Sequence, residues 1–247
     1  MKKFDRLSIV VLATTEKKTL IETVDTLINS CSAEDISEII ILMVSDSCPS
    51  AEIADEIIRN NRSSVPISRR IQKTPGLYPA VFEAPKLVSG CSHILIIGSD
   101  LEMDPASVPA MIKAAKKNPD AIICASKFMK GSYRENYGVF HYICNRAVNA
   151  AVGLILHIKG TELLSTFQIY PMELYNRMNF TSETRSYYEY TMRPLAMGEK
   201  YIEIPTDYIR RTEGESNYNL KRYIDLGTTF LKTALSERKR LKAIRKK

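Results

Sequence analysis

Asp100 and Glu102 stand two residues apart just beyond an apolar run, His93–Ile97. Where backbone is extended, side chains two apart project to one side. The pair would then offer hard carboxylate oxygens to Mg2+ or Mn2+ already attached to a diphosphate. The plainer alternative is two acids that solvate a loop or complement the N-terminus of a helix opening at Pro105, and spacing alone leaves both open. Two further acids close apolar runs in the same way: Glu16 after Leu7–Ala13 and Asp46 after Ile39–Val44. Ligands of open α/β sheets collect beyond the carboxyl ends of the strands, so these four acids belong to one prospective edge. Other chemistries lack their residues. His93, His141 and His157 have no metal-binding spacing, the five cysteines contain no C-x-x-C pair, and no serine sits in a nucleophile elbow.

The elements that would position these acids alternate along the chain. Apolar, β-branched runs at Leu7–Ala13, Ile39–Val44, Pro66–Ile71, His93–Ile97 and Ala121–Ala125 read as buried strands. Between them, Lys18–Ser30, Ala51–Arg59, Tyr78–Val88 and Pro105–Lys117 carry apolar residues at helical spacing. This rhythm predicts an α/β fold with a mainly parallel central sheet flanked by helices. In the second half, Val139–Leu156 and Tyr187–Met197 favour helices, and Thr166–Tyr170 and Tyr201–Pro205 favour strands. Residues 1–218 read as one domain, and residues 219–247 as an amphipathic helix with a basic tail.

Composition narrows the partners. The chain has 247 residues and a net charge of +7, but Glu237 to Lys247 holds seven basic residues against one acid. Six of the seven net charges therefore sit at the end, and the nearly neutral body argues against a nucleic-acid partner. The longest apolar stretch, Val139 to Ile158, is interrupted by His141, Asn145, Arg146 and Asn149. It falls short of the roughly 18–20 uninterrupted apolar residues expected of a spanning helix. The opening MKKFDRLSIVVLATTEKK lacks a long apolar region and a small-residue cleavage site, and the cysteines suggest no disulfide framework. These features predict a cytoplasmic protein. Leu220, Tyr223, Ile224, Phe230, Leu231, Ala234 and Leu235 recur at near-helical spacing ahead of the basic end. Lys221–Lys247 could thus lie peripherally on an anionic membrane surface, or pack on the domain as an ordinary helix.

Several segments, in order, resemble family 2 glycosyltransferases of GT-A fold, nearest to the dolichyl- or polyprenyl-phosphate sugar synthases. LSIVVLATTEKKTLIETVDTL resembles the opening strand and its P-x-Y-N-E turn, keeping Glu16. VSDSCPS resembles the V-D-D-x-S turn, keeping Asp46 with Ser45 in place of the first acid, and PGLYPAVFEA resembles G-L-G-x-A. ILIIGSDLEMDP resembles the strand leading to D-x-D, with Gly98 in place of the first acid, Asp100 as the second and Glu102 at a glutamine position. DAIICASKFMKGS resembles D-x-V-x-G-S-R-x-x-x-G with Lys127 for the arginine. GTELLSTFQIYPMEL resembles D-x-T-S-G-F-R-x-Y, keeping Ser165, Phe167 and Tyr170 with Gln168 for the arginine. EIPTDYIRRTEGESNYN resembles E-x-P-x-x-x-x-x-R-x-x-G-x-S-K, keeping Arg211, Gly214 and Ser216 with Asn217 for the lysine.

The resemblance implies an inverting transfer of a sugar from a nucleoside-diphosphate sugar to an acceptor, either a polyprenyl phosphate or a glycan precursor. It implies Mg2+ or Mn2+ at Asp100 and Glu102, with Glu16, Asp46, Lys127, Ser165, Gln168 and Ser216 around the nucleotide sugar. Arg211 would be the cation beside phosphate, because the departing diphosphate gathers negative charge. A sugar hydroxyl acceptor would need a base, for which Glu189 is the candidate, whereas a lipid phosphate is already an anionic nucleophile. The altered positions 45, 98, 168 and 217 also fit an alternative: a GT-A relative that binds a nucleotide sugar or a protein partner without transfer.

Overall fold

The computed structural model describes residues 3–178, 180, 188–209 and 220–244. Among these residues, seven strands form one sheet: β1 (Leu7–Ala13), β2 (Ile36–Met43), β3 (Ile67–Ile71), β4 (His93–Gly98), β5 (Ile122–Ser126), β6 (Gln168–Pro171) and β7 (Tyr201–Pro205). Their order is β3-β2-β1-β4-β6-β5-β7. Every pairing is parallel except those of β6, which runs antiparallel to both β4 and β5. The mainly parallel sheet expected from the alternation is therefore present.

Side-chain alternation along β1, β2 and β4 divides the core between the two faces. Ile9, Val11, Ile39, Ile41, Leu95 and Ile97 pack on one side with α1 (Lys18–Ser30), α2 (Ser50–Asn60) and α4 (Val108–Lys117). Val10, Ile40, Leu42, Ile94 and Ile96 pack on the other with α3 (Leu77–Leu87) and the short α6 (Met172–Arg177). Both faces of these central strands are covered, which is why their sequences read as continuous apolar runs. The helix expected from Pro105 begins instead as a 3-10 turn, Pro105–Ser107. Asp104 caps that turn by accepting from the Ala106 N–H at 2.9 Å, and α4 follows.

A third apolar cluster joins α5 (Val139–Leu156), α7 (Tyr188–Ala196) and α8 (Leu220–Ile244) through Val152, Leu156, Tyr188, Met192, Leu195 and Ala234. Phe230 of α8 lies against Tyr188 of α7 with ring centroids 3.9 Å apart. A buried ion pair between Arg193 on α7 and Glu237 on α8 (2.9 Å) reinforces that contact. The interruptions of α5 do not shorten it. All 18 residues are helical, and by length and composition the helix does reach the threshold for crossing a membrane, with only 22% of it buried.

Candidate active site

A cleft of about 390 Å3 opens at the carboxyl ends of β1 and β4, beside the start of β6. This is the edge at which open α/β sheets bind ligands, and the volume suits a small-molecule site. Its wall is formed by Leu12, Ala13 and Thr14 at the end of β1, Ile96 to Asp100 at the end of β4, and Ser165, Thr166 and Phe167 before β6. Glu16, Asp100 and Glu102 are its acidic lining residues, and among the described lining residues none is basic.

The acidic pair reaches the cleft by a route the sequence does not disclose. β4 ends at Gly98, and Ser99 ties the turn to β1: its N–H and Oγ both donate to the Leu12 carbonyl, at 3.1 and 2.8 Å. Leu101 then takes φ of 60°, so the stretch is not extended and the same-side argument for Asp100 and Glu102 does not hold. Asp100 instead folds back, its Oδ1 accepting the Glu102 N–H at 3.1 Å. Gly98 makes room for this, because a Cβ there would lie 3.3 Å from Asp100 Oδ1. The position of the absent first acid is thus crowded by the carboxylate of the second. Both acids still line the cleft.

Glu16 lines the cleft as the organiser of its own turn. Its Oε2 accepts the N–H groups of Thr14 (2.8 Å) and Thr15 (2.9 Å) and the Thr14 hydroxyl (3.2 Å). Burial alone would raise its pKa, but the backbone N–H groups of Thr14, Glu16 and Thr15 with the Thr14 hydroxyl hold it below the ordinary glutamate value. Ser50, at the start of α2, donates to the Glu16 carbonyl at 2.7 Å. Ser165 also lines the cleft, its Oγ accepting from the Phe167 N–H at 3.1 Å.

The remaining expected residues lie elsewhere. Asp46 is outside the lining and 67% exposed, and it pairs with Arg69 at 2.6 Å; Arg69 also holds Asp55. Lys127 is turned toward buried Glu162 at 3.0 Å and over the Phe128 ring rather than toward the cleft. Its charge balances an acid whose pKa burial raises. Gln168 is fully buried on β6, behind the lining, and neither amide atom finds a hydrogen-bond partner among the described residues. Glu189 is held by Arg193 on α7, also away from the cleft. Arg211 and Ser216 lie outside the described residues.

One lining residue escaped the sequence reading. Gln72 directly follows β3 and is mostly buried; its Oε1 accepts the Gly76 N–H at 2.9 Å and its own N–H donates to the Met43 carbonyl at 2.8 Å. It braces the loop that enters α3. The strand-end argument applied to Glu16, Asp46 and Asp100 would have found it, had it not been restricted to acids.

Two carboxylates are too few to hold a metal alone, and the described residues contain no group of three acidic, histidine or cysteine side chains placed for one. The donor set does fit a hard divalent cation whose other oxygens come from a diphosphate. With no described basic residue in the lining, such a cation would also supply the positive charge a diphosphate requires.

Residues 8–187 match the family model for glycosyl transferase family 2. Among solved structures, glucosyl-3-phosphoglycerate synthase from Mycobacterium tuberculosis with uridine diphosphate superposes with a TM-score of 0.66 at 18% identity, covering 94% of this chain and 80% of that one. The same enzyme with Mn2+, uridine diphosphate and glucosyl-3-phosphoglycerate gives 0.62 at 17% identity, with the same coverage of both chains. Its complex with Mn2+, UDP-glucose and phosphoglyceric acid gives 0.63 at 18%, covering 94% and 79%. No curated protein sequence matches the chain.

Proposed function

We propose that this chain, which belongs to glycosyl transferase family 2, transfers a sugar from a UDP-sugar to an acceptor that is already anionic, a polyprenyl phosphate. The acceptor oxygen would bond to the anomeric carbon as that carbon's bond to the diphosphate oxygen breaks. Configuration inverts and UDP departs. Asp100 and Glu102 would hold Mn2+ or Mg2+ on the diphosphate, where the cation offsets the charge of the leaving group. Glu16, Gln72 and Ser165 would shape the donor pocket, and Arg211 and Ser216 would meet phosphate. The choice of UDP follows the uridine nucleotides bound by the structural neighbours.

The observation that carries the acceptor class is the inventory of the cleft. Glu16 is committed to its turn and Asp100 with Glu102 to the cation, and the described lining offers no fourth carboxylate and no histidine. A sugar hydroxyl would have to lose a proton to such a base, whereas a phosphate arrives ionised. The basic end of α8 would bring the enzyme to an anionic membrane surface where such an acceptor resides. Incubation with UDP-[14C]glucose, Mn2+ and a detergent-dispersed polyprenyl phosphate tests this. Label in a solvent-extractable product is expected; UDP release only with a water-soluble hydroxyl acceptor would overturn the acceptor class. Donor binding without transfer to any acceptor would favour a non-catalytic relative, as Gly98 suggests.

A further inference from the structure

Helix α5 carries apolar residues on its outer face as well as its inner one. Its polar residues face the protein: Asn149 is buried, its Oδ1 accepting the Leu163 N–H at 2.6 Å, and Arg146 donates to the Thr161 carbonyl at 3.1 Å. Val152 and Leu156 pack inward, but a second set of apolar residues faces outward, with Val139 77%, Phe140 55%, Ile143 59% and Leu154 76% exposed. Ala147 and Ala150, also exposed, complete a continuous line at helical spacing with no charged residue on it. A helix that directs its polar groups into its own domain leaves a surface that water does not favour.

We infer that this face is the surface by which the protein embeds in the headgroup region of an anionic bilayer, lying along it rather than crossing it. Arg146 and Asn149 are bonded to the domain, which fixes α5 against the body. Charge selects a bilayer over a second copy of the chain. α8 packs beside α5, with Val148 next to Gly227, and from Thr228 onward its only acid, Glu237, is buried while Lys232, Lys239 and Lys242 are exposed. Two copies joined at α5 would bring such helices together, whereas anionic headgroups complement them. The entry to α5 also adjoins the cleft. Tyr137 meets Tyr208 edge-to-face with ring centroids 4.6 Å apart, and Tyr208 bridges to Met103 in the cleft wall. Embedding α5 would therefore hold the mouth near the bilayer surface, which deepens the lipid-phosphate reading and rests on it for its purpose.

The chain has no tryptophan, so Phe140→Trp creates a single reporter. Its emission is expected to shift to the blue with vesicles of phosphatidylglycerol and phosphatidylcholine and to be quenched by bromine-labelled acyl chains. Ile71→Trp, an exposed site on β3, should do neither. Flotation of the otherwise unmodified chain with Ile143→Asp and Leu154→Asp should fall by roughly tenfold or more, while Mn2+-dependent UDP binding stays at the parental value. A cooperatively folded Phe140→Trp protein with no shift, undiminished flotation of the aspartate variant, or a blue shift that tracks a doubled mass without vesicles would overturn the inference. Absence of UDP binding in the parent would instead defeat the transferase reading and leave the flotation result to stand by itself.

Discussion

Replacing Arg193 by methionine removes one guanidinium that serves two helices. Its Nε and Nη2 donate to Glu237 on α8 at 2.9–3.2 Å, and Nη2 also meets Glu189 one turn back on α7. Arg193 is 9% exposed and Glu237 3%, so the variant strands a buried carboxylate. Breaking such a pair from one side costs about 3–5 kcal/mol. Arg240 still reaches Glu237 at 2.9 Å, which puts the expected loss at the lower end, about 3 kcal/mol. At roughly 2–4 °C per kcal/mol for a chain of this size, the melting temperature should fall by about 6–12 °C. Thermal unfolding followed by circular dichroism would be measured for Arg193→Met, Glu237→Leu and the double variant. The double variant should regain most of the loss, since apolar replacements of a buried pair are often neutral. A loss in Arg193→Met below about 1 kcal/mol, or a double variant as unstable as the two single losses combined, would refute this reasoning. The same arrangement predicts that Glu189→Gln keeps its transfer rate; a fall of roughly a hundredfold would restore Glu189 as the general base.

Glu16→Gln should cost about 1–2 kcal/mol at neutral pH, because a charged acceptor of three hydrogen bonds becomes a neutral one. The folded-state pKa of Glu16 lies below its ordinary value, so the parent's advantage is complete above that ordinary value and disappears as pH falls through the folded one. Melting temperatures of the two proteins should converge in acid. Lys127→Met leaves buried Glu162 without its partner and should cost about 3 kcal/mol near neutrality. Here the sign reverses: burial raises the folded pKa of Glu162, so stability falls as pH climbs from the ordinary glutamate value through the folded one, and the variant should be most stable in acid. A pH series of melting curves checks both.

How much of this could be read beforehand depended on whether the deciding partner was local. The strands of the core announced themselves because burial on both faces leaves no polar position in runs such as Ile39–Met43. Lys127 and Glu189 carry charge at motif positions, yet Lys127 is claimed by Glu162, remote in sequence, and Glu189 by Arg193 one turn on, whose own anchor, Glu237, is remote. Asp100 and Glu102 line the cleft without the extended backbone expected of them, since leucine at position 101 gives no warning of a left-handed turn. In α5 the polar interruptions His141, Asn145, Arg146 and Asn149 do not say which side of the helix the domain takes. Amphipathicity is a property of the helix alone, and orientation belongs to the packing.

The central claim is that the cleft binds a nucleoside diphosphate through a cation held by Asp100. Titration calorimetry of UDP against the parent and Asp100→Ala, each with Mn2+ and with EDTA, addresses it directly. Binding by the parent only with Mn2+ is expected, with a loss of tenfold or more in Asp100→Ala, about 1.4 kcal/mol, at an unchanged melting temperature. Equal UDP affinity in EDTA, or parental affinity in Asp100→Ala, would contradict it.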